Sequence, residues 1–274
     1  MITETMITPH KKLFNIGLKE LWEYRELAYF FVWRDVKVRY KQAVIGVLWA
    51  ILQPFVTMVI FTVFFGRLAK IPSDGIPYPI FVYVGLLLWR YFSFGLTHAS
   101  DSMVANANMI QKIYFPRLVL PISSSLIGIV DFFVASIILF GLMAYYHYTP
   151  NLMGILLLPV LLFTTFMASV GFGCFLAALN VKYRDVRFIV PFFIQILMYL
   201  TPVIYPVSML GEKFRWLLML NPMSGIIETA RGTLLGTKPV DWNLLSVSII
   251  VSMILFAGGI IYFRKTERFF ADVI

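Results

Sequence analysis

The sequence predicts an all-α polytopic membrane protein with six transmembrane helices, an N-terminal amphipathic interface helix, and short re-entrant helices between spans 5 and 6. Three observations predict it. First, 60% of the residues are hydrophobic and only 14% are charged, and several apolar runs exceed the roughly 18 residues that read as a membrane helix. Second, these runs are continuous rather than alternating at every second residue. That excludes a closed barrel, the only other architecture that satisfies its backbone in lipid. Third, the stretch from Tyr199 to Arg231 stays apolar but is broken by Pro202, Pro206 and the turn Asn221-Pro222. The pieces around Phe214–Leu220 and Met223–Ile227 are too short to cross about 30 Å of hydrocarbon. Irregular backbone at that depth belongs beneath protein or beside a water-filled cavity.

In chain order, residues 1–42 form a polar N-terminal segment that ends in the amphipathic helix. In AYFFVWRDVKVRYK (28–41), Tyr29, Val32, Trp33, Val36 and Tyr40 gather on one side of a helix. Arg34, Lys37 and Lys41 gather on another, as in a helix lying in the headgroup plane or packed on a partner. Residues 43–263 carry the spans, at 43–65, 78–100, 118–145, 153–179, 188–206 and 243–263, and 264–274 form a tail. No short apolar core followed by small residues opens the chain, so no cleaved signal peptide is expected. The lone Cys174 lies among Ala168, Ser169, Gly171 and Gly173 and reads as a small packing residue, not part of a disulfide framework or a multi-cysteine metal site.

The net charge of +9 sits beside the ends of the apolar runs. Anionic lipid headgroups are met there, and no basic tract has the length or aromatic interleaving of a nucleic-acid groove. Lys and Arg number sixteen on one side of the six-span topology and six on the other, with Arg90 inside span two. The positive-inside rule then places both termini in the cytoplasm and the broken stretch outside.

Few residues suggest chemistry. No G-x-x-x-x-G-K-[ST] loop is present, so the chain binds no ATP by that route and needs no cofactor of its own. No H-E-x-x-H or G-x-S-x-G occurs. His98 and Asp101 stand three apart, a possible acid–base or metal pair or a helix-end polar pair. Asp131 lies mid-span in SLIGIVDFFVAS. A charge at that depth marks a partner or a function; Arg90 is the expected partner, and a proton relay is the rival. Tyr91, Tyr199 and Tyr205 offer rings that could stack on sugars along a polar path.

Four stretches carry a family resemblance: RDVKVRYKQAVIGVLWAILQP (34–54), NANMIQKIYFPRLVLP (106–121), LNVKYRDVRFIVP (179–191) and TPVIYP…NPMSGIIETARGTLLG (201–236). In order and spacing the chain resembles ABC-2-type permeases for polysaccharide and polyol-phosphate export, the transmembrane subunits of O-antigen, capsule or teichoic-acid exporters. The resemblance implies a homodimer in the bacterial inner (cell) membrane, bound to two copies of a nucleotide-binding ATPase subunit that holds ATP and Mg. Its cargo would be an undecaprenyl-pyrophosphate-linked glycan. Asn106, Ile110, Lys112, Phe115, Pro116 and Arg117 resemble the coupling helix that docks on the ATPase, and Tyr183, Arg184 and Asp185 a second contact. Trp33, Arg34, Lys37, Arg39, Tyr40 and Lys41 fall on the interface helix beside the substrate entrance. Tyr91, Tyr199, Pro202, Tyr205, Pro206, Phe214, Trp216, Asn221, Pro222 and Met223 fall on the channel and its outer gate helices. Two rivals remain at this level: an ABC-2 exporter of drugs or smaller lipids, and an intramembrane glycosyl- or acyltransferase working through His98 and Asp101.

Overall fold

The computed structural model describes residues 18–41, 46–209, 211, 216 and 218–270, and these contain helices and no strand. Helix α1 (Leu18–Glu23) turns at Tyr24 into α2 (Arg25–Lys41). The first span, α3 (Gly46–Phe61), continues through wider π-helical turns over Thr62–Leu68. α4 (Tyr78–Ala105) is followed by the single turn α5 (Ala107–Ile110), and then by α6 (Val119–Tyr145) and α7 (Leu152–Lys182). α8 (Val186–Leu200), α9 (Pro222–Leu234) and α10 (Trp242–Thr266) follow, with short 3-10 turns at Val207–Met209 and Glu267–Phe269.

Local chemistry explains the boundaries. Asn151, Asn221 and Asp241 each stand at a helix start, and their side-chain oxygens accept from the N–H of Met153, Met223 and Leu244. Such caps satisfy donors that the first turn leaves free. Pro222 occupies the first helical position of α9, where a missing N–H costs nothing. Pro54 lies inside α3, and membrane helices tolerate it because neighbours re-satisfy the freed carbonyl.

Five of these helices are long and apolar enough to cross a membrane: Gly46–Leu68, Tyr78–Ala105, Val119–Tyr145, Leu152–Lys182 and Trp242–Thr266. The predicted span 188–206 is represented by the 15-residue α8, about 22 Å long and short of the hydrocarbon thickness by itself. It stops because Thr201, ahead of Pro202, is extended (φ −91°, ψ 140°), the conformation a following proline imposes.

α4 is the central pole, buried along most of its length between α6 and α7. Tyr83 donates to the Ala135 carbonyl and Ser125 to that of Gly95, so α4 and α6 run antiparallel. Asn180 donates to the Ser100 carbonyl and Gly173 meets Ala99, so α7 runs parallel to α4. α7 and α10 touch backbone to backbone at Gly171 and Gly259, where any Cβ would collide; close approach at small residues is how helices associate in lipid. This topology brings the segments after α4, α7 and α10 to one end, where Arg117 donates to the Glu267 carbonyl at 2.6 Å. That end carries Lys112, Arg117, Lys182, Arg184, Arg187, Arg264 and Lys265. At the opposite end, Asn151 N–H bonds the Leu234 carbonyl and Lys238 pairs with Asp74 at 2.5 Å.

Candidate functional site

α2 has three faces rather than the two that its spacing predicts. Phe31, with Arg39 and Asp35 on the same side, packs inward, and the Phe31 ring meets Phe115 edge-on at 5.9 Å. Tyr29, Phe30 and Trp33 are exposed, and so are Arg34, Lys37 and Lys41 beside them. Lys37 lies over the Trp33 ring at 4.3 Å and Arg34 over Phe31 at 5.1 Å. The outer surface therefore carries aromatic and basic stripes side by side, and a separate face grips the bundle. Glu20 of α1 ties the start of this unit to the basic end, pairing with Arg264 at 3.6 Å.

The other end of α2 reaches into the bundle and corrects the predicted Arg90–Asp131 pair. Asp131 Oδ2 accepts from Arg39 at 2.7 Å, and its Oδ1 accepts a short hydrogen bond from the Tyr40 hydroxyl. Arg90 donates instead to Gln53 Oε1 at 2.7 Å. The reason is the docking of α2 along α6, which delivers Arg39 to the carboxylate, while α3 presents Gln53 to Arg90. Burial, and then the hydrogen bond to Asp131 and its charge, push the Tyr40 phenol well above its usual pKa. Arg90, Tyr91 and Asp131 line a small cavity between α3, α4 and α6, together with Ala50, Phe94 and Gly128. The Tyr91 hydroxyl there is buried with no hydrogen-bond partner among the described residues. Gln53 was legible as a polar residue inside the first span; its role as the partner of Arg90 was not.

At the basic end the candidate docking residues divide. Lys112, Ile113 and Tyr114 are exposed on a depression of about 220 Å³ that Ile110 and Arg117 also line. Phe115 and Pro116 are buried, and Arg117 holds the Glu267 carbonyl and faces the Phe270 ring at 5.9 Å. Asn106 caps the turn, its side chain donating to the Ser102 carbonyl. Tyr183, Arg184 and Asp185 are all exposed.

At the far end, Pro202, Pro206, Pro222 and Met223 are buried and Asn221 is half-buried, while Tyr199 and Trp216 are exposed. Tyr205 donates to the Tyr199 and Leu200 carbonyls. Phe214 lies outside the described residues. α9 is almost wholly buried and contains the residue that the sequence reading missed, Arg231. Charge counting places it among the six cations on the outer side of the spans. The structure shows it 2% exposed, donating to the carbonyls of Phe81, Pro202 and Val203 at 3.0, 2.6 and 2.5 Å. Its guanidinium lies 3.7 Å from the Phe81 ring centroid. Gly85 is required beside it, since a Cβ there would stand 2.6 Å from Nη2. Burial lowers the Arg231 pKa to about 10, which leaves it charged at neutral pH. The available signal was Asn221-Pro222 followed by Gly236: a helix start and stop that enclose Arg231.

His98 and Asp101 do not form a pair. His98 Nδ1 contacts the Phe94 carbonyl and its ring stacks on Phe94 at 3.8 Å, while Asp101 accepts from the Asn180 amide at 3.1 Å. Among the described residues no cluster of three or more His, Cys, Asp or Glu could hold a metal.

The chain is similar over most of its length to polysaccharide export proteins. It is 29% identical over 241 residues to the O-antigen export system permease protein RfbA of Klebsiella pneumoniae, covering 88% of this chain and 92% of that protein. It is 27% identical to the Myxococcus xanthus RfbA over 256 residues, covering 92% and 97% of the two chains. The polysialic acid transport protein KpsM of Escherichia coli is 22% identical over 245 residues, covering 85% and 91%. Residues 26–235, matched by the ABC-2 type transporter family, take in α2 through α9 and so both polar constellations described above; the chain belongs to the ABC-2 type transporter family.

Proposed function

We propose that this chain is the permease subunit of an ABC exporter that moves an undecaprenyl-linked polysaccharide, of O-antigen type, out of the cytoplasm across the inner membrane. It works as a homodimer of six-span subunits, with both termini cytoplasmic. ATP and Mg are held by two copies of a separate ATPase subunit. The observation that carries the reading is the near full-length likeness to O-antigen export permeases.

The geometry is compatible in three respects. Lys112, Ile113 and Tyr114 protrude at the basic end, as do Tyr183, Arg184 and Asp185, so a soluble subunit could seat there. The exposed aromatic and basic stripes of α2 suit a headgroup surface that attracts an anionic lipid. The unwound segment 201–206 and the buried α9 suit an outer gate, with α8 completing its crossing through the unwound residues. The transferase alternative loses ground because His98 and Asp101 serve different partners.

The test is co-purification with an ATPase encoded beside it, followed by hydrolysis assays in nanodiscs. A stable complex whose hydrolysis rises with an undecaprenyl-linked glycan is expected. A chain that moves its cargo with no nucleotide-hydrolysing companion overturns the reading.

A further inference from the structure

The cavity between α3, α4 and α6 has more hydrogen-bond donors than acceptors. Arg90 lines it, and Arg39 stands just behind it, holding the Asp131 carboxylate and lying over the Phe94 ring, both of which do line it; Asp131 is the only carboxylate within ion-pair distance of either arginine among the described residues. Both Asp131 oxygens are already engaged, one by Arg39 and one by Tyr40. Gln53 Oε1 is taken by Arg90. Among the described residues each guanidinium still has donors to spare, and the buried Tyr91 hydroxyl meets no acceptor. An excess positive charge at membrane depth is costly and calls for an anion from elsewhere.

We propose that this cavity is a phosphate site, built to take one oxyanion oxygen of a lipid-borne phosphate between Arg90 and the Tyr91 hydroxyl, with the Arg39 charge close by behind Asp131 and Phe94. The size fits this limited task. The enclosed space is about 20 Å³, enough for a single water-sized atom group, so the phosphorus stays at the mouth while one oxygen enters. The location fits too. Arg39 is about a third exposed and sits at the end of the helix whose exposed face carries Arg34, Lys37 and Lys41. A headgroup sliding along that basic stripe meets the cavity where α2 ends. Asp131 serves as the resident anion: it keeps Arg39 in place when no phosphate is present and competes with one that arrives. Arginine is suited to this role because it stays charged when buried and its hydrogen bond to a phosphate oxygen is charge-assisted. The assignment of the phosphate to the cargo's carrier, rather than to bulk phospholipid, rests on the export function proposed above.

The test uses the full chain in detergent without any ATPase, so it reads lipid binding and not export. Native mass spectrometry compares retention of undecaprenyl phosphate, undecaprenol and phosphatidylglycerol by the wild type and by Arg90→Gln, Arg90→Lys and Tyr91→Phe. The wild type should retain undecaprenyl phosphate over undecaprenol. Arg90→Gln should cut that preference roughly tenfold, as loss of one charge-assisted contact predicts. Arg90→Lys should keep most of the preference, and Tyr91→Phe, which removes one oxygen and little shape, should lose about threefold. Equal retention of undecaprenyl phosphate by all four proteins would overturn the site. If phosphatidylglycerol is retained equally and lost equally in Arg90→Gln, the phosphate site stands and its assignment to the cargo falls. Failure of export with these binding results intact would count against the proposed function alone.

Discussion

Two arginines inside this bundle have opposite surroundings. Arg231 is saturated: three backbone carbonyls, a ring face and the Glu228 carboxylate 4.0 Å away surround it. Among the described residues Arg90 has one acceptor, Gln53 Oε1, and shares its cavity with a hydroxyl that has none. A buried cation whose partners are all supplied by the chain is part of the scaffold. It holds the unwound residues 201–204 against α4 and leaves nothing for a ligand to do. A cation left short of acceptors retains capacity for one that arrives later. The contrast separates structure from function more sharply than burial does, because both side chains lie among the helices of the bundle.

The saturated side of the comparison should break hardest. Arg231→Met strands carbonyls that the unwound segment cannot pair internally, a loss on the order of 4 kcal/mol. Little folded protein should be recovered from membranes. Arg231→Lys should recover only part of this loss, since an ammonium group has neither the reach nor the fork to meet three carbonyls in fixed directions. Melting temperature in detergent, read by intrinsic fluorescence, checks both. A Lys variant as stable as wild type would show that the charge alone is what this site needs.

Asp131 sharpens the comparison from the other side. Asp131→Asn should loosen the grip of α2 and cost about 1–2 kcal/mol, given that Arg39 is partly solvated. Limited proteolysis near the end of α2 would report the loosening. If the carboxylate instead relayed protons, Asn would abolish export while leaving α2 docked. The paired geometry predicts that the two effects move together, and that Arg39→Met combined with Asp131→Leu restores docking.

The long elements were legible because continuous apolar runs have one reading in lipid. The side-chain partnerships were not. Asp131 and Arg90 matched in depth and sign, but depth along a span does not say which face a side chain takes. Arg39 lay on a segment counted as headgroup-bound, and only the packing of α2 along α6 brings it to Asp131. Arg231 was hidden for a related reason. Charge counting assigns an arginine between spans to a loop, yet α9 is a buried helix that crosses nothing. The break after α8 was readable from Pro202, since proline constrains its neighbour locally, without reference to the rest of the fold.

The basic end repeats the contrast on a smaller scale and separates two residues that the sequence treats alike. Arg117 is committed to the Glu267 carbonyl and the Phe270 ring, so Arg117→Glu should destabilise the chain by about 1–2 kcal/mol through lost contacts and a new charge beside Glu267. Lys112 is exposed, and Lys112→Glu should leave the melting temperature unchanged while weakening association with the ATPase roughly tenfold. Pull-down and thermal melts on the same two variants distinguish them. Loss of association in Arg117→Glu at unaltered stability would return that residue to the docking surface.

The smallest expected effect lies at the rim of the saturated region, where Lys238 and Ser208 both donate to Asp74. Burial raises the Asp74 pKa, but the hydrogen bonds from Lys238 and Ser208 and the Lys238 charge outweigh it, and the net shift is downward. A depressed carboxylate contributes stability that is fully present above the unfolded-state pKa, near pH 4, and is lost as pH falls through the lower folded value. Lys238 is 40% exposed, which limits the contribution to less than about 1 kcal/mol. Asp74→Asn should therefore leave stability at pH 7 slightly reduced and flatten its dependence below about pH 4. An unchanged acid profile would mean that the strap across 74, 208 and 238 is held by backbone packing and Arg231, with its surface charges contributing nothing.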